Sequence, residues 1–244
     1  MKLLMVTRAD DNFRAISELT HPILRRFAKK WEADFLVLSK DFDTCASSVG
    51  KLLYRFLDVY DLLEEYDRVL NLDSDIVINK NCPDLFGLVP SDKIGAVLED
   101  RGSRLANRRE RILGVQKAWG DVGWRKGYLN SGVLIASKAH REIFNKKLGR
   151  YWEEVGFDSI HFGYHIHRLG FEIHEMPWRY NHMSIFSEEW NGSPSRFNSR
   201  VIHYAGGGRF SDKGNRTLRE LIRDDITKIY GDKQERAESI KSGI

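Results

Sequence analysis

Arg68-Val69-Leu70-Asn71-Leu72-Asp73-Ser74-Asp75-Ile76-Val77-Ile78 consists of two apolar runs that meet at a charged point. Val, Leu and Ile dominate both flanks, which predicts a buried strand rather than a helix. Taken as one extended segment, it sends Asp73 and Asp75 to one side and Ser74 to the other. Two carboxylates so close at the end of a buried strand are costly unless a cation meets them. A hard divalent ion with open positions for phosphate oxygens suits that pair. A solvated turn, with Asp and Ser as turn formers, accounts for the same residues without chemistry.

The chain around this stretch has 244 residues, enough for one large α/β domain or two small ones. It is 41% hydrophobic and 30% charged, as ordinary globular proteins are. The net charge of +4 fits an anionic small substrate as well as it fits nucleic acid. Cys45 and Cys82 form no Cys-x-x-Cys pair and no disulfide framework, which predicts a reducing compartment. Met1 to Thr7 is soon interrupted by Arg8, Asp10 and Asp11, unlike a signal peptide. No apolar run approaches the roughly 20 residues that span a bilayer. The expectation is a cytoplasmic protein without a transmembrane segment or repeats.

Upstream, residues 2–7 read as a buried strand that breaks into Arg8-Ala9-Asp10-Asp11-Asn12. In open α/β sheets ligands bind at such strand ends, though Asp and Asn are also good helix N-caps. Ile16, Leu19, Ile23, Leu24, Phe27, Ala28 and Trp31 recur at helical spacing, with Pro22 predicting a kink or a restart after Thr20. A strand over 34–39 completes a strand–helix–strand opening, which argues for a parallel sheet. Residues 51–64 read as a helix on which Lys51 and Arg55, one turn apart, project from one edge toward a phosphate or toward solvent.

Downstream, 93–98 is the next strand. Residues 101–126 carry Arg101, Arg104, Arg108, Arg109, Arg111, Lys117, Arg125 and Lys126 with Trp119 and Trp124. Such a segment could bind a nucleic-acid strand, close as a flap over an oxyanion or sugar, or be solvated surface. Residues 127–136 form a strand interrupted by Asn130-Ser131-Gly132, where Gly132 predicts a bulge or a close backbone approach. Residues 139–154 read as helical. His161, His165 and His167 lack the spacing and cysteines of a zinc site. Residues 172–177 form a strand and 178–181 an aromatic-lined turn. The last strand, 199–204, ends in Ala205-Gly206-Gly207-Gly208-Arg209. Its glycines let backbone approach an anion, His203 could complete a metal shell, and Arg209 could clamp a diphosphate. A helix with Leu218, Leu221, Ile222, Ile226 and Ile229 on one face follows, then a polar tail.

Four segments in order resemble the GT-A-fold, metal-dependent glycosyltransferases of the glycogenin and bacterial lipopolysaccharide galactosyltransferase type. They are Arg8 to Phe13, then Tyr54-Arg55-Phe56 with Tyr66 to Asp75, then Tyr128 to Leu134, and His203 to Arg209 with Arg in place of the family's Lys. The resemblance spans roughly residues 3–210. It implies a single α/β domain over 1–210: a mostly parallel, Rossmann-like sheet flanked by helices, with a small antiparallel addition. Residues 211–244 would be a C-terminal helix and polar tail. It also implies a nucleotide-diphosphate donor, most often a UDP-sugar, with Mn2+ or Mg2+, and transfer with retention.

Carried over by position, Asp73, Asp75 and His203 hold the metal. Thr7, Asp10, Asp11 and Asn12 lie near the nucleoside. Arg55, Asn130 and Ser131 face the sugar. Lys51 and Ser74 join the donor site, and Gly206, Gly207 and Arg209 meet the diphosphate. Asp158 takes the place of the family's sugar-contacting acidic residue, but Ser159 follows it where Glu or Gln is usual.

The implied partners are the donor and a glycan, glycolipid or glycoprotein acceptor, with no nucleic acid. A haloacid-dehalogenase-type phosphatase needs its nucleophilic Asp near the N-terminus, and Asp73 comes after a full strand–helix–strand–helix opening. A nucleotidyltransferase wants a glycine-rich loop after strand one, where Arg8-Ala9-Asp10-Asp11 stands. A non-catalytic sugar- or nucleic-acid-binding module stays open as the alternative.

Overall fold

A computed structural model of the protein describes residues 1–40, 48–148 and 150–231. Cys45 and the polar tail beyond residue 231 lie outside them. The chain opens with β1 (Leu3–Arg8), all six residues buried, and α1 (Arg14–Lys30). Pro22 costs α1 one backbone hydrogen bond without ending it: the helix runs through in one piece. β2 (Asp34–Leu38) follows. The predicted helix over 51–64 is three short pieces: α2 (Ser48–Leu53), a 3-10 stretch and α3 (Val59–Leu62).

The stretch first read as one strand is two. β3 (Arg68–Leu72) lies in the main sheet, and β4 (Ile76–Ile78) belongs to another. A turn at Ser74 and Asp75 separates them, so it is the turn, not strand alternation, that brings the two carboxylates together. β5 (Ile94–Leu98) is followed by α4 (Leu105–Trp119), within the basic segment that could bind a nucleic-acid strand, close as a flap or be solvated surface. β6 (Leu129–Ser137), α5 (Phe157–Arg168), β7 (Ile173–Glu175) and β8 (Val201–His203) complete the framework. α6 (Ala205–Gly208) is a single irregular turn, and α7 (Leu218–Tyr230) closes the described chain. The expected helix over 139–154 is instead two 3-10 segments, Lys138–Phe144 and Lys146–Leu148, broken by an extended Asn145.

The six-stranded sheet has the order β2-β1-β3-β6-β5-β7 and is parallel except around β6, which runs antiparallel to both neighbours. These pairings put the C-terminal ends of β1, β3, β5 and β7 and the start of β6 on one edge. Loops leaving that edge converge, as ligand-binding loops of α/β sheets do. β4 and β8 pair antiparallel with Ile76 opposite His203. Strand alternation divides the core. Leu3 and Met5 of β1, with Leu70 and Leu72 of β3, pack with Leu24, Phe27, Leu221 and Ile222 of α1 and α7. Leu4, Val6 and Val69 pack on the other face with Tyr54, Phe56, Phe144 and Phe162. Ile112 and Val115 of α4 join Ile160 and Tyr164 of α5 in a third cluster.

Five of the eight cations of 101–126 are paired with carboxylates, while Lys117 and Lys126 are exposed. Arg104 and Arg108 both pair with the buried Glu99, at 2.6 and 2.8 Å, and Arg109 pairs with the buried Asp100 at 2.6 Å. Arg101 meets Glu175, and Arg125 meets Asp121 at 2.5 Å. No described helix is long and apolar enough to cross a membrane.

Candidate functional site

Asp73, Asp75 and His203 offer ligand atoms that all lie within 4.8 Å of one another. The β4–β8 pairing makes this possible. Ile76 follows Asp75 directly and faces His203, and Tyr204 N donates to Asp75 O at 3.0 Å. His203 Nε2 sits 3.4 Å from Asp73 Oδ2 and 3.3 Å from Asp75 Oδ1.

A chain of hydrogen bonds sets the His203 ring. Gly132 N donates to Asn130 Oδ1 at 3.0 Å, and Asn181 Nδ2 donates to the same oxygen at 2.9 Å. The Asn181 amide therefore turns its Oδ1 to His203 Nδ1, 2.8 Å away. An oxygen there requires Nδ1 to carry a proton, which leaves Nε2 facing the carboxylates. This is the orientation of a metal-binding histidine with its second nitrogen held by an outer partner. Two carboxylate oxygens and one imidazole nitrogen suit manganese or magnesium.

Gly132 is part of the same cradle. Asp73 N donates to Gly132 O at 2.9 Å, and a Cβ at 132 would stand 2.3 Å from His203 Cε1 and 2.8 Å from Asp73 Oδ2. Both sequence expectations for Gly132 hold: the backbone approaches closely, and the β5–β6 register shifts here.

The charges are strongly coupled. Burial alone would lower the His203 pKa, but Asp75 and Asp73 outweigh it and hold it at about 10. Burial pushes Asp73 upward, yet Arg8 and His203 bring it down to about 2. Burial raises the pKa of Asp158, and Asp73 adds to the rise against the pull of Arg8.

Asn130, Ser131, Asp158, Ser74 and Gly206 line a cavity of about 330 Å³ together with the triad. Ser131 Oγ is 2.9 Å from Ser159 Oγ, so the residue standing where Glu or Gln was expected braces the cavity wall. A larger hollow of about 990 Å³ adjoins it, lined by Asp10, Asp11, Asn12, Lys51 and Arg55 among others. His21 in its wall is 3.2 Å from Ser74 Oγ in the first cavity.

Asp10 also caps the turn after it, accepting from Phe13 N at 3.0 Å, so the capping and the cavity-lining readings are both met. Arg55 donates to Ala9 O at 2.5 Å. Thr7, Gly207 and Arg209 stand outside both cavity walls. Thr7 is buried under the aspartate turn, 3.2 Å from Ser74 Oγ. Gly206 and Gly207 have φ of 65° and 83°, a backbone that favours glycine, and exposed Arg209 donates from Nε to Gly206 O at 3.2 Å.

Local sequence places Asn181 only in an aromatic-lined turn and Arg8 only in a loop motif; the fold brings both to the site. The signal for Arg8 was present: a cation at the C-terminal end of a buried strand.

Residues 7–147 match the family model described as glycosyl transferase family 8. Among solved structures, a glycosyltransferase involved in glycosylation of the major capsid of PBCV-1 is 12% identical over 94% of this chain and 100% of that one, with a TM-score of 0.58. The galactosyltransferase LgtC, in complex with donor and acceptor sugar analogs, is 18% identical over 95% of this chain and 98% of that one, with a TM-score of 0.51. The apo-form glycosyltransferase GlyE of Streptococcus pneumoniae TIGR4 is 15% identical over 92% of this chain and 60% of that one, with a TM-score of 0.52. At such identities the likeness is one of fold, here the GT-A fold. No curated protein matches the chain significantly.

Proposed function

The chain belongs to glycosyl transferase family 8 and is a glycosyltransferase, and on that premise we propose that it moves a sugar from a uridine-diphosphate donor to a hydroxyl of a glycan, glycolipid or glycoprotein. The observation that carries this reading is the convergence of Asp73, Asp75 and His203 on one side of a cavity whose other walls are Asn130, Ser131 and Asp158.

In this reading the triad holds manganese or magnesium, which when bound neutralises charge on the departing diphosphate. Asp10, Asp11, Asn12, Lys51 and Arg55 receive the nucleoside end of the donor in the larger hollow. The glycine turn at Gly206 and Gly207, with Arg209, adds backbone and guanidinium donors toward the diphosphate. Asn130, Ser131 and Asp158 contact the sugar. The bond from the anomeric carbon to the diphosphate oxygen breaks, its electron pair leaves with the diphosphate, and the acceptor oxygen bonds to that carbon. The acceptor proton leaves on the diphosphate. We propose retention of configuration, which the family resemblance supports. LgtC, with the same fold and with donor and acceptor sugar analogs bound, supports sugar partners on both sides of the transfer.

The test is calorimetric titration of UDP, GDP and CDP with Mn2+ and with EDTA, on the native protein and on Asp75→Asn. The expected result is UDP binding that needs metal and is lost in the variant while its thermal unfolding stays cooperative. Nucleotide binding that survives EDTA, or no binding of any of the three, would refute the reading.

A further inference from the structure

Arg8 ends β1, and its side chain is buried in the wall of the cavity that holds the triad. Its Nη2 donates to Asp73 Oδ1 at 2.6 Å. Its Nη1 donates to Asp158 Oδ2 at 2.9 Å and to Leu53 O at 2.7 Å. The guanidinium plane lies 3.9 Å over the Phe56 ring. A buried arginine is costly unless its donors are met, and here one guanidinium is shared by two carboxylates from distant parts of the chain. Among the described residues it is the one Lys or Arg lining this cavity, against Asp73, Asp75 and Asp158.

The division of oxygens is specific. Asp73 gives Oδ1 to Arg8 and keeps Oδ2 toward His203 Nε2. Asp158 gives Oδ2 to Arg8, while its Oδ1 accepts from Ser159 N at 3.0 Å. Each carboxylate is thereby fixed in rotation. From this geometry we infer that Arg8 is a positioning residue of the transferase, setting the metal ligand Asp73 and the sugar-side Asp158 in one rigid unit. The inference rests on the reading above. Arg8 touches neither sugar nor diphosphate in it; it acts through the two aspartates. Lysine could not replace it, because one ammonium cannot span two carboxylates in the plane that a guanidinium fork reaches.

The experiment compares native protein, Arg8→Lys and Arg8→Ala. Two quantities are read: Mn2+-dependent UDP affinity by calorimetry, and UDP release from UDP-glucose and UDP-galactose with kcat and KM separated. For Arg8→Ala the expected result is a kcat lowered roughly 10- to 100-fold, with a smaller fall in Mn2+-dependent UDP affinity, as for loss of an outer partner of a metal site. Guanidinium ion at low millimolar concentration should recover part of that kcat, and Arg8→Lys should stay impaired. A native kcat in Arg8→Ala overturns the inference. So does a UDP affinity that falls as far as kcat with no recovery by guanidinium, which would mark a merely structural arginine. Native protein that fails to bind UDP with Mn2+ brings down the transferase reading itself, and the role of Arg8 with it.

Discussion

Replacing Gly132 with alanine adds one methyl group, and the structure says where it goes. The new Cβ would lie 2.3 Å from His203 Cε1, 2.8 Å from His203 Nδ1 and 2.8 Å from Asp73 Oδ2. The φ of Gly132 is not in the left-handed region, so the cost is one of space and not of backbone strain. The neighbours cannot yield cheaply. His203 is buried, sits in β8 and is held by Asn181, and Asp73 is held by Arg8. Relief requires moving one ligand by about an ångström, several times the roughly 0.2 Å tolerance of a metal–ligand distance. We expect metal affinity to fall about 10- to 100-fold, equivalent to about 1.4–2.8 kcal/mol. The fold should lose about 1–3 kcal/mol, the usual cost of overpacking. The assay is Mn2+ titration in the presence of UDP, paired with urea unfolding in EDTA to separate the two effects. A Gly132→Ala protein with native Mn2+ affinity would refute the placement of the cradle against the triad.

Three further outcomes are expected. Asn181→Leu removes the acceptor that keeps the proton on His203 Nδ1, so Mn2+ affinity should drop about 10-fold or more, and an unchanged affinity would dismiss the tautomer argument. His165 is buried, and burial first, then Arg168, lowers its pKa from 6.5 to about 4. Below pH 6.5 the unfolded chain takes up a proton that the folded chain refuses, so stability should fall between about pH 6.5 and 4, by roughly 3 kcal/mol from this residue. Urea unfolding of His165→Phe should show a shallower slope in that window, and an identical slope would count against a neutral buried His165. Asp225→Ala strips Arg196 of two bonds, at 2.6 and 2.8 Å, and Tyr204 of one at 2.6 Å. With Asp212 still on Arg196, the expected destabilisation is about 3 kcal/mol, the lower end for a broken buried pair, and a loss below about 1 kcal/mol would contradict it.

Local chemistry carried much of this protein's reading. Buried strands announce themselves as short apolar runs bounded by polar residues, and β1, β3, β5 and β6 all stand where such runs are. The two aspartates were legible because paired carboxylates beside such runs demand a cation, and His203 because it precedes a glycine run at a strand's end. Where the fold departs from the local pattern, the deciding contact is distant in the chain. Nothing local says that 68–78 divides between two sheets: β3 follows β1, whereas β4 is claimed by β8.

Periodicity over 139–154 suggested a helix, yet Asn145 is extended and Ile143 and Phe144 turn into the core through a tighter 3-10 coil. Nothing local pairs Arg104, Arg108 and Arg109 with Glu99 and Asp100, which lie in the loop just after β5. Arg104 and Arg108, four apart, are brought onto the same carboxylate only once α4 forms. The sequence by itself determined the strand-forming runs and the carboxylate pair. The tertiary structure alone decided that Arg8 would hold Asp73 and Asp158 together and that Asn181 would set the ring of His203. The physical reason is that side-chain pattern is a local property, whereas register and loop convergence are set by pairings between segments that the pattern does not name.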